Sequence, residues 1–289
     1  ESINGGIINN FVDVNKNGWH DPIEMTSIII DTDGDSVIDG LDLDSDNDGI
    51  VDIIEAGGID QNQQDGQVDN FSDLITPNGW DDFIEQNNLP VPDTDYDRVK
   101  DFRDLDSDND SISDVIEGGQ ADENGDFLAE FLIDADNNGI DDLLFTSLVQ
   151  PPDSDNDGIY DFRDVDSDND SISDLIEGGL VDDVLAVDSD NNGVLDDADQ
   201  DGDGISDTID ATPVFGSSAH PPVQPNYILI DSDNDGIFDI SERPDIDFSV
   251  IDANGDGIVD GFIDIDKDGI IDIVDNNTDE FGGLQVPGT

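Results

Sequence analysis

The chain has 289 residues, with 77 acidic side chains against seven basic ones, no cysteine and a formal charge of −70. This excludes disulfide stabilisation and leaves no basic patch to neutralise nucleic-acid phosphate. No apolar run approaches the ~20 residues that span a bilayer, and self-repulsion on this scale opposes any compact state that lacks counter-cations.

Thirteen loops share one frame, in which Asp or Asn recurs at positions 1, 3, 5 and 9 and an acid usually closes position 12. The N-terminal segment, 1–30, carries the first loop at Asp13, Asn15, Asn17, Asp21 and Glu24. Unit 31–92 opens with two abutting loops, Asp31, Asp33, Asp35, Asp39, Asp42 and then Asp44, Asp46, Asp48, Asp52, Glu55. Its remainder holds a degenerate stretch, Asp60-Asn62-Asp65-Gly66-Asp69, and a decayed loop. In the latter Asn78, Gly79, Trp80, Asp82 and Glu85 match Asn17, Gly18, Trp19, Asp21 and Glu24, while Leu74 and Thr76 stand for Asp13 and Asn15.

Unit 93–152 repeats the pair as Asp93, Asp95, Asp97, Asp101, Asp104 and Asp106, Asp108, Asp110, Asp114, Glu117. A degenerate segment, Asp122-Asn124-Asp126-Glu130, precedes a loop at Asp134, Asp136, Asn138 and Asp142. Unit 153–212 repeats it again as Asp153, Asp155, Asp157, Asp161, Asp164 and Asp166, Asp168, Asp170, Asp174, Glu177. Next come Asp188, Asp190, Asn192, Asp196 and Asp199; Asp199 also opens the loop of Asp201, Asp203, Asp207 and Asp210, so two ions would lie close together there.

A linker-like stretch within 213–230 runs from Pro213 to Pro225 with Gly216, Ser217 and Ser218. Unit 231–289 carries Asp231, Asp233, Asp235, Asp239, Glu242; Asp252, Asn254, Asp256, Asp260; and Asp264, Asp266, Asp268, Asp272, Asp275. The repeat period is near 60 residues, and neither end of the chain reads as a cap, so of a mature product and an excised segment of a longer protein the second is expected.

The spacing is that of a calcium loop. Ca²⁺ takes about six to eight oxygens at about 2.3–2.6 Å, and alternate residues on a tight turn converge three side chains on one centre. Position 7 adds its carbonyl, position 9 binds directly or through water, and position 12 closes the shell. The segment Asp44 to Glu55 fits this pattern throughout. Asp dominates the acids, with only ten Glu in the chain, and Glu24, Glu55, Glu85, Glu117, Glu177 and Glu242 all fall at position 12. Asp is short and turn-favouring, as a tight loop requires and a solubilising surface does not.

Position 6 must turn sharply and is mostly Gly, with Ser36, Ser111, Ser171 and Arg98 as exceptions; Arg98 makes the Asp93 loop the weakest full-length site. Phe145 and Ile263 leave the Asp134 and Asp252 loops without a closing acid. Position 7 is usually Ile or Val, whose side chain is expected to enter a thin apolar seam while its carbonyl serves the ion. Thirteen Ca²⁺ would add 26 positive charges to the −70 and leave −44, so ions are a condition of folding and the metal-free chain is expected to be largely unfolded.

Short β-branched runs at Ser27–Ile30, Phe131–Ile133, Tyr227–Ile230 and Ser249–Ile251 predict short strands. Runs such as Asp114 to Glu117 before Gly118-Gly119 predict single helical turns ended by glycine. The expected fold is a calcium-stabilised elongated repeat array: mostly irregular loops, short β-strands, single helical turns and little regular secondary structure. Nothing shows the long amphipathic helices of paired EF-hands.

Asp199 to Asp210 (DQDGDGISDTID) and Asp264 to Asp275 (DIDKDGIIDIVD) resemble the thrombospondin type 3 repeat, and Asp44 to Glu55 departs only in its final Glu. The resemblance extends over most of the chain and is closest to cysteine-free versions in large bacterial surface adhesins and filaments. It implies a chain wrapped around many Ca²⁺ in an extracellular or cell-surface setting.

The leading expectation is therefore a non-enzymatic, calcium-binding stalk or filament segment of an adhesin, holding about thirteen Ca²⁺ and joining neighbouring copies or the flanking repeats of a longer chain. The alternatives are an acidic matrix protein that buffers calcium or templates mineral, and a spacer of a secreted enzyme. His20 and His220 sit in no triad or zinc pattern, Trp19 and Trp80 read as core, and Arg103 and Arg163 as bridges between adjacent loops.

Overall fold

The computed structural model describes residues 30–58, 66, 91–130, 134–140, 150–179, 187–189, 192–196, 199–200, 202–209, 223, 225–242, 248–261, 263–275 and 281. The Asp13 loop with Asn15, Asn17, Asp21 and Glu24, the Asp60 segment apart from Gly66, the Asn78 segment, and Asp142, Asp190, Asp201 and Asp210 lie outside these residues. So do both Trp, both His, nearly all of the Pro213–Pro225 stretch, and the strands expected at 27–29 and 131–133.

Regular structure is sparse among the described residues. Four-residue helical turns cover Asp52–Glu55, Asp114–Glu117, Asp174–Glu177, Asp239–Glu242 and Phe248–Ile251. 3₁₀ turns cover Asp101–Arg103, Asp161–Arg163 and Pro225–Ile228. No helix among the described residues is long and apolar enough to cross a membrane.

Four of the helical turns span positions 9 to 12 of a loop that ends in Glu, whereas Asp104 and Asp164 follow 3₁₀ turns in extended backbone. Glycine ends three of these helical turns as expected, those at Asp52–Glu55, Asp114–Glu117 and Asp174–Glu177. After Asp114–Glu117, Gly119 takes φ +79, its N–H reaches the carbonyl of Ile116, and Gln120 N–H reaches that of Val115, which satisfies two terminal carbonyls. Gly57 (φ +73) closes the Asp52–Glu55 turn in the same way, with Gly57 N–H on Ile54 and Gly58 N–H on Ile53.

No strand occurs among the described residues, which corrects the expected strands. Tyr227 and Ile228 belong to a 3₁₀ turn and 249–251 to a helical turn. A short run rich in β-branched residues satisfies a strand only if another strand lies beside it. Here local bonds win, such as Leu229 N–H to the Asn226 carbonyl at 2.8 Å.

Contacts between distant loops recur in register. Leu43, Leu105 and Val165 each donate a backbone N–H to the position-5 carbonyl of a later loop, that of Asn138, Asp203 and Asp268 respectively, at 3.0, 2.9 and 3.0 Å. Ala129, Leu195 and Val259 likewise donate to Asn47, Asn109 and Asn169 at 2.7, 2.8 and 2.8 Å. The arginines act one period back rather than on the next loop. Arg103 Nε meets Asp39 at 2.6 Å and Arg163 Nε meets Asp101 at 2.7 Å, while Arg163 also donates to the Glu55 carbonyl. Each guanidinium lies 4.6 Å over its neighbouring ring, Phe102 or Phe162.

The core consists of small apolar groups between loops. One joins Val165, Ile240, Ile251, Val259, Ile270, Ile271 and Val274; a second joins Val51, Ile53 and Ile140; a third joins Leu105, Phe127 and Ile205. Position-7 residues Ile50, Ile112, Ile140, Ile205 and Ile270 are buried as expected, whereas Ile237 is exposed.

Candidate metal centres

Each loop is built by its own side chains. The position-7 N–H donates to the position-5 side chain in every described loop from Asp31 to Asp264. In the Asp44 loop, Gly49 N–H donates to Asp44 Oδ2 at 3.1 Å and Ile50 N–H to Asp48 Oδ1 at 2.6 Å. The opposite oxygens, Asp44 Oδ1 and Asp48 Oδ2, are buried without a hydrogen-bond partner. The expected sharp turn at position 6 holds even without glycine: Ser36, Arg98, Ser111 and Ser171 adopt φ +87, +94, +83 and +73.

Position 9 has a further use. Both oxygens of Asp52 accept bonds from Ser45, one from N–H and one from Oγ–H, each at 2.7 Å. The same double bond joins Thr32 to Asp39, Thr94 to Asp101, Ser107 to Asp114, Ser154 to Asp161 and Ser232 to Asp239. Position 9 thus clasps the first turn of the loop. The frequent Ser or Thr at position 2 was the available signal for this, and sequence reasoning missed it. It also missed position 4, where Asn47, Asn109, Asn137, Asn156, Asn169 and Asn234 take φ between +55 and +68. Asn tolerates that left-handed region better than most residues.

The structure brings Asp31, Asp33 and Asp35 together, and likewise Asp44, Asp46 and Asp48; Asp93, Asp95 and Asp97; and Asp106, Asp108 and Asp110, each triad with one oxygen per residue within 4.8 Å of the others. The triads differ in setting. Those opening at Asp44 and Asp106 are fully buried, whereas that at Asp31 is largely exposed and that at Asp93 half-buried. At Asp93 one oxygen accepts Arg98 N–H and the other meets Lys100 Nζ at 2.7 Å, so this loop already holds a cation of its own. Asp42, Asp104 and Asp164, at position 12, reach forward to accept the N–H of Asp44, Asp106 and Asp166, which open the next loop, at 3.0–3.1 Å.

The Asp122 segment, degenerate in sequence, adopts the loop geometry. Phe127 N–H donates to Asp122 Oδ2 at 2.9 Å, Leu128 N–H to Asp126 at 3.3 Å, and Phe127 occupies the left-handed position at φ +67. Its ring replaces the missing glycine's open space by filling the core beside Leu105 and Ile205.

The buried carboxylates are poorly compensated by the protein itself. Asp44 Oδ1, both oxygens of Asp46, Asp48 Oδ2 and both oxygens of Glu55 are buried with no hydrogen-bond partner. The same holds for Asp108 Oδ2, Asp110 Oδ2 and both oxygens of Glu117. Desolvation by burial, reinforced by neighbouring carboxylates, pushes Asp44, Asp46, Glu55 and Glu117 well above the usual carboxylate range. Burial likewise drives Asp48 up to about 8 and Asp110 up to about 7. Unpaired buried carboxylates cost several kcal/mol each, roughly, unless a cation neutralises them. All-oxygen donor sets of this kind suit a hard cation. No protein-family model matches the chain, and neither does any curated protein.

Proposed function

We propose that the chain is a non-enzymatic calcium-binding structural segment, a stalk or filament portion of an extracellular cell-surface adhesin. In this reading it forms an elongated repeat array in which bound Ca²⁺ stands in for the missing disulfides and large core. The carrying observation is the set of buried, unpartnered oxygens on Asp44, Asp46, Asp48 and Glu55, placed at the positions a calcium loop uses. Asp44, Asp46, Asp48 and Glu55 would hold one ion by side chain, with Ile50 adding its carbonyl; the Asp106 and Asp166 loops would do the same with their equivalent residues.

About thirteen loops would be filled, with the Asp122 segment as a further candidate and the Lys100-blocked Asp93 loop as the weakest. The acidic remainder leaves neighbouring copies or flanking repeats of a longer chain as the partners, joined through shared ions. Equilibrium dialysis of EDTA-stripped protein, with bound calcium measured by elemental analysis, tests the reading. It predicts on the order of ten ions per chain at extracellular, millimolar Ca²⁺. One or two ions would overturn it.

A further inference from the structure

We infer that the cation sites of the three Glu-closed loops opening at Asp44, Asp106 and Asp166 are each completed by a carboxylate from the following repeat, so that one divalent ion, Ca²⁺ in the reading above, joins two repeats. Asp48, Glu55 and Asp114 each place an oxygen within 4.8 Å of the others, and all three are fully buried. Asp48 and Glu55 belong to the Asp44 loop, whereas Asp114 is position 9 of the Asp106 loop, one period later.

The independent mark of a ligand is on Glu55. Both of its oxygens, and Oδ2 of Asp48, are buried without a hydrogen-bond partner in the same cluster. An oxygen separation of up to 4.8 Å is about the width of a Ca²⁺ coordination shell, twice a bond of about 2.4 Å. Three buried carboxylates at that separation repel one another strongly unless a cation lies between them.

Asp114 is fixed in this position by its own loop. Ser107 N–H and Oγ–H bond its two oxygens at 2.8 and 2.6 Å. Each carboxylate oxygen has a second lone pair left for a metal. Asp52, the position-9 residue of the Asp44 loop itself, is clasped by Ser45 in the same manner.

The junction recurs. Glu117, again with both oxygens buried and unpartnered, feels the charges of Asp110 in its own loop and Asp174 in the next repeat. Glu177 feels Asp239, and Ser232, the residue that clasps Asp239, places its Oγ 3.4 Å from Glu177 Oε1. Ligand donation therefore runs one way: the Asp44 loop takes Asp114, the Asp106 loop takes Asp174, and the Asp166 loop takes Asp239. Calcium loading is then cooperative along the chain, and every filled junction stiffens the link between repeats.

Hydrogen–deuterium exchange of the full chain, followed by mass spectrometry across a titration of Ca²⁺ alone, tests this inference, which rests on the calcium reading. Asp114→Asn keeps the shape but removes the charge. It should raise the Ca²⁺ midpoint for protecting residues 44–58 by about tenfold or more and leave residues 166–179 at the wild-type midpoint. Asp174→Asn should do the same to residues 106–120. The inference stands only if both variants act on the segment one repeat before them. An unchanged midpoint in that segment, or an equal shift in 44–58 and 166–179, overturns it. Wild-type protein without any calcium-dependent protection would instead overturn the calcium reading itself.

Discussion

The carboxylate of Asp104 occupies the space where any side chain on Gly204 would begin: an ideal Cβ on Gly204 would lie 1.6 Å from Asp104 Oδ1. The two residues belong to different repeats, and Leu105 N–H bonds the carbonyl of Asp203 beside them. Gly139 faces Asp42 and Gly269 faces Asp164 with the same close approach. Glycine at position 6 of these loops is therefore required twice, by its positive φ and by the neighbouring carboxylate.

Gly204→Ala and Gly202→Ala separate these two requirements. Gly202 has φ +81 but nothing within 4 Å of an added Cβ. Its substitution should cost about 1–2 kcal/mol from the left-handed backbone alone. Gly204→Ala must also displace Asp104 and should cost roughly 4 kcal/mol or more. Urea unfolding in saturating Ca²⁺ measures both, and equal values would show that the contact between Asp104 and Gly204 is unimportant.

The position-2 clasp should be measurable at Ser107. Ser107→Ala removes the Oγ–H bond to Asp114 at 2.6 Å and keeps the backbone bond at 2.8 Å. Loss of one hydrogen bond to a buried carboxylate costs about 1.5–3 kcal/mol. The measurement is the shift in urea midpoint at fixed Ca²⁺; no shift would show that the hydroxyl is dispensable.

Arg163 should matter more than Arg103. The Arg163 side chain is 16 % exposed against 31 % for Arg103, its partner Asp101 is almost fully buried, and it alone of the two is seen bonded to Glu55. Arg163→Met leaves Asp101 buried without its counter-charge and should cost about 3–5 kcal/mol. Arg103→Met should cost roughly half as much, the more exposed pair being better screened. Thermal unfolding in excess Ca²⁺ ranks them, and the reverse order would contradict the packing described.

Acid should have opposite effects with and without calcium. Desolvation by burial, together with the neighbouring Asp52 and Asp170 charges respectively, carries Asp48 to about 8 and Asp168 to about 9. Both start from 3.8 in the unfolded chain. Because these values are raised by folding, their contribution to the metal-free fold is fully present below pH 3.8 and is lost as pH rises through about 8–9. In EDTA the radius of gyration should therefore fall as pH is lowered from 9 to about 3.5. With Ca²⁺ bound the compact state should instead persist at neutral pH, and acid should release the ions by protonating their ligands. A radius in EDTA that does not respond to pH would contradict the buried-carboxylate argument.

The parts legible in the sequence were those governed by local rules. Positions 1, 3 and 5 and the turn at position 6 follow from a short loop closing on itself, and Asp114 to Glu117 followed by Gly118-Gly119 announced a capped helical turn. The runs at 227–230 and 249–251 form turns instead of strands because β-branched composition favours a strand only where a neighbouring strand can pair with it. The clasp from Ser107 to Asp114 and the left-handed Asn109 were also local and were written in the recurrence of Ser and Asn, but no ligand rule calls attention to residues that do not touch the ion. The meeting of Asp104 with Gly204, and of Asp48 with Asp114, was illegible for another reason: similar loops offer many pairings, and only three-dimensional packing selects among them.

The central claim is that calcium builds this fold, and small-angle scattering with circular dichroism during Ca²⁺ titration of EDTA-stripped protein tests it most directly. The account predicts a cooperative change from an expanded coil to a long, thin, ordered particle, complete near millimolar Ca²⁺. A chain that takes up calcium yet keeps the scattering of a coil would contradict it and would favour a calcium-buffering or mineral-templating matrix protein.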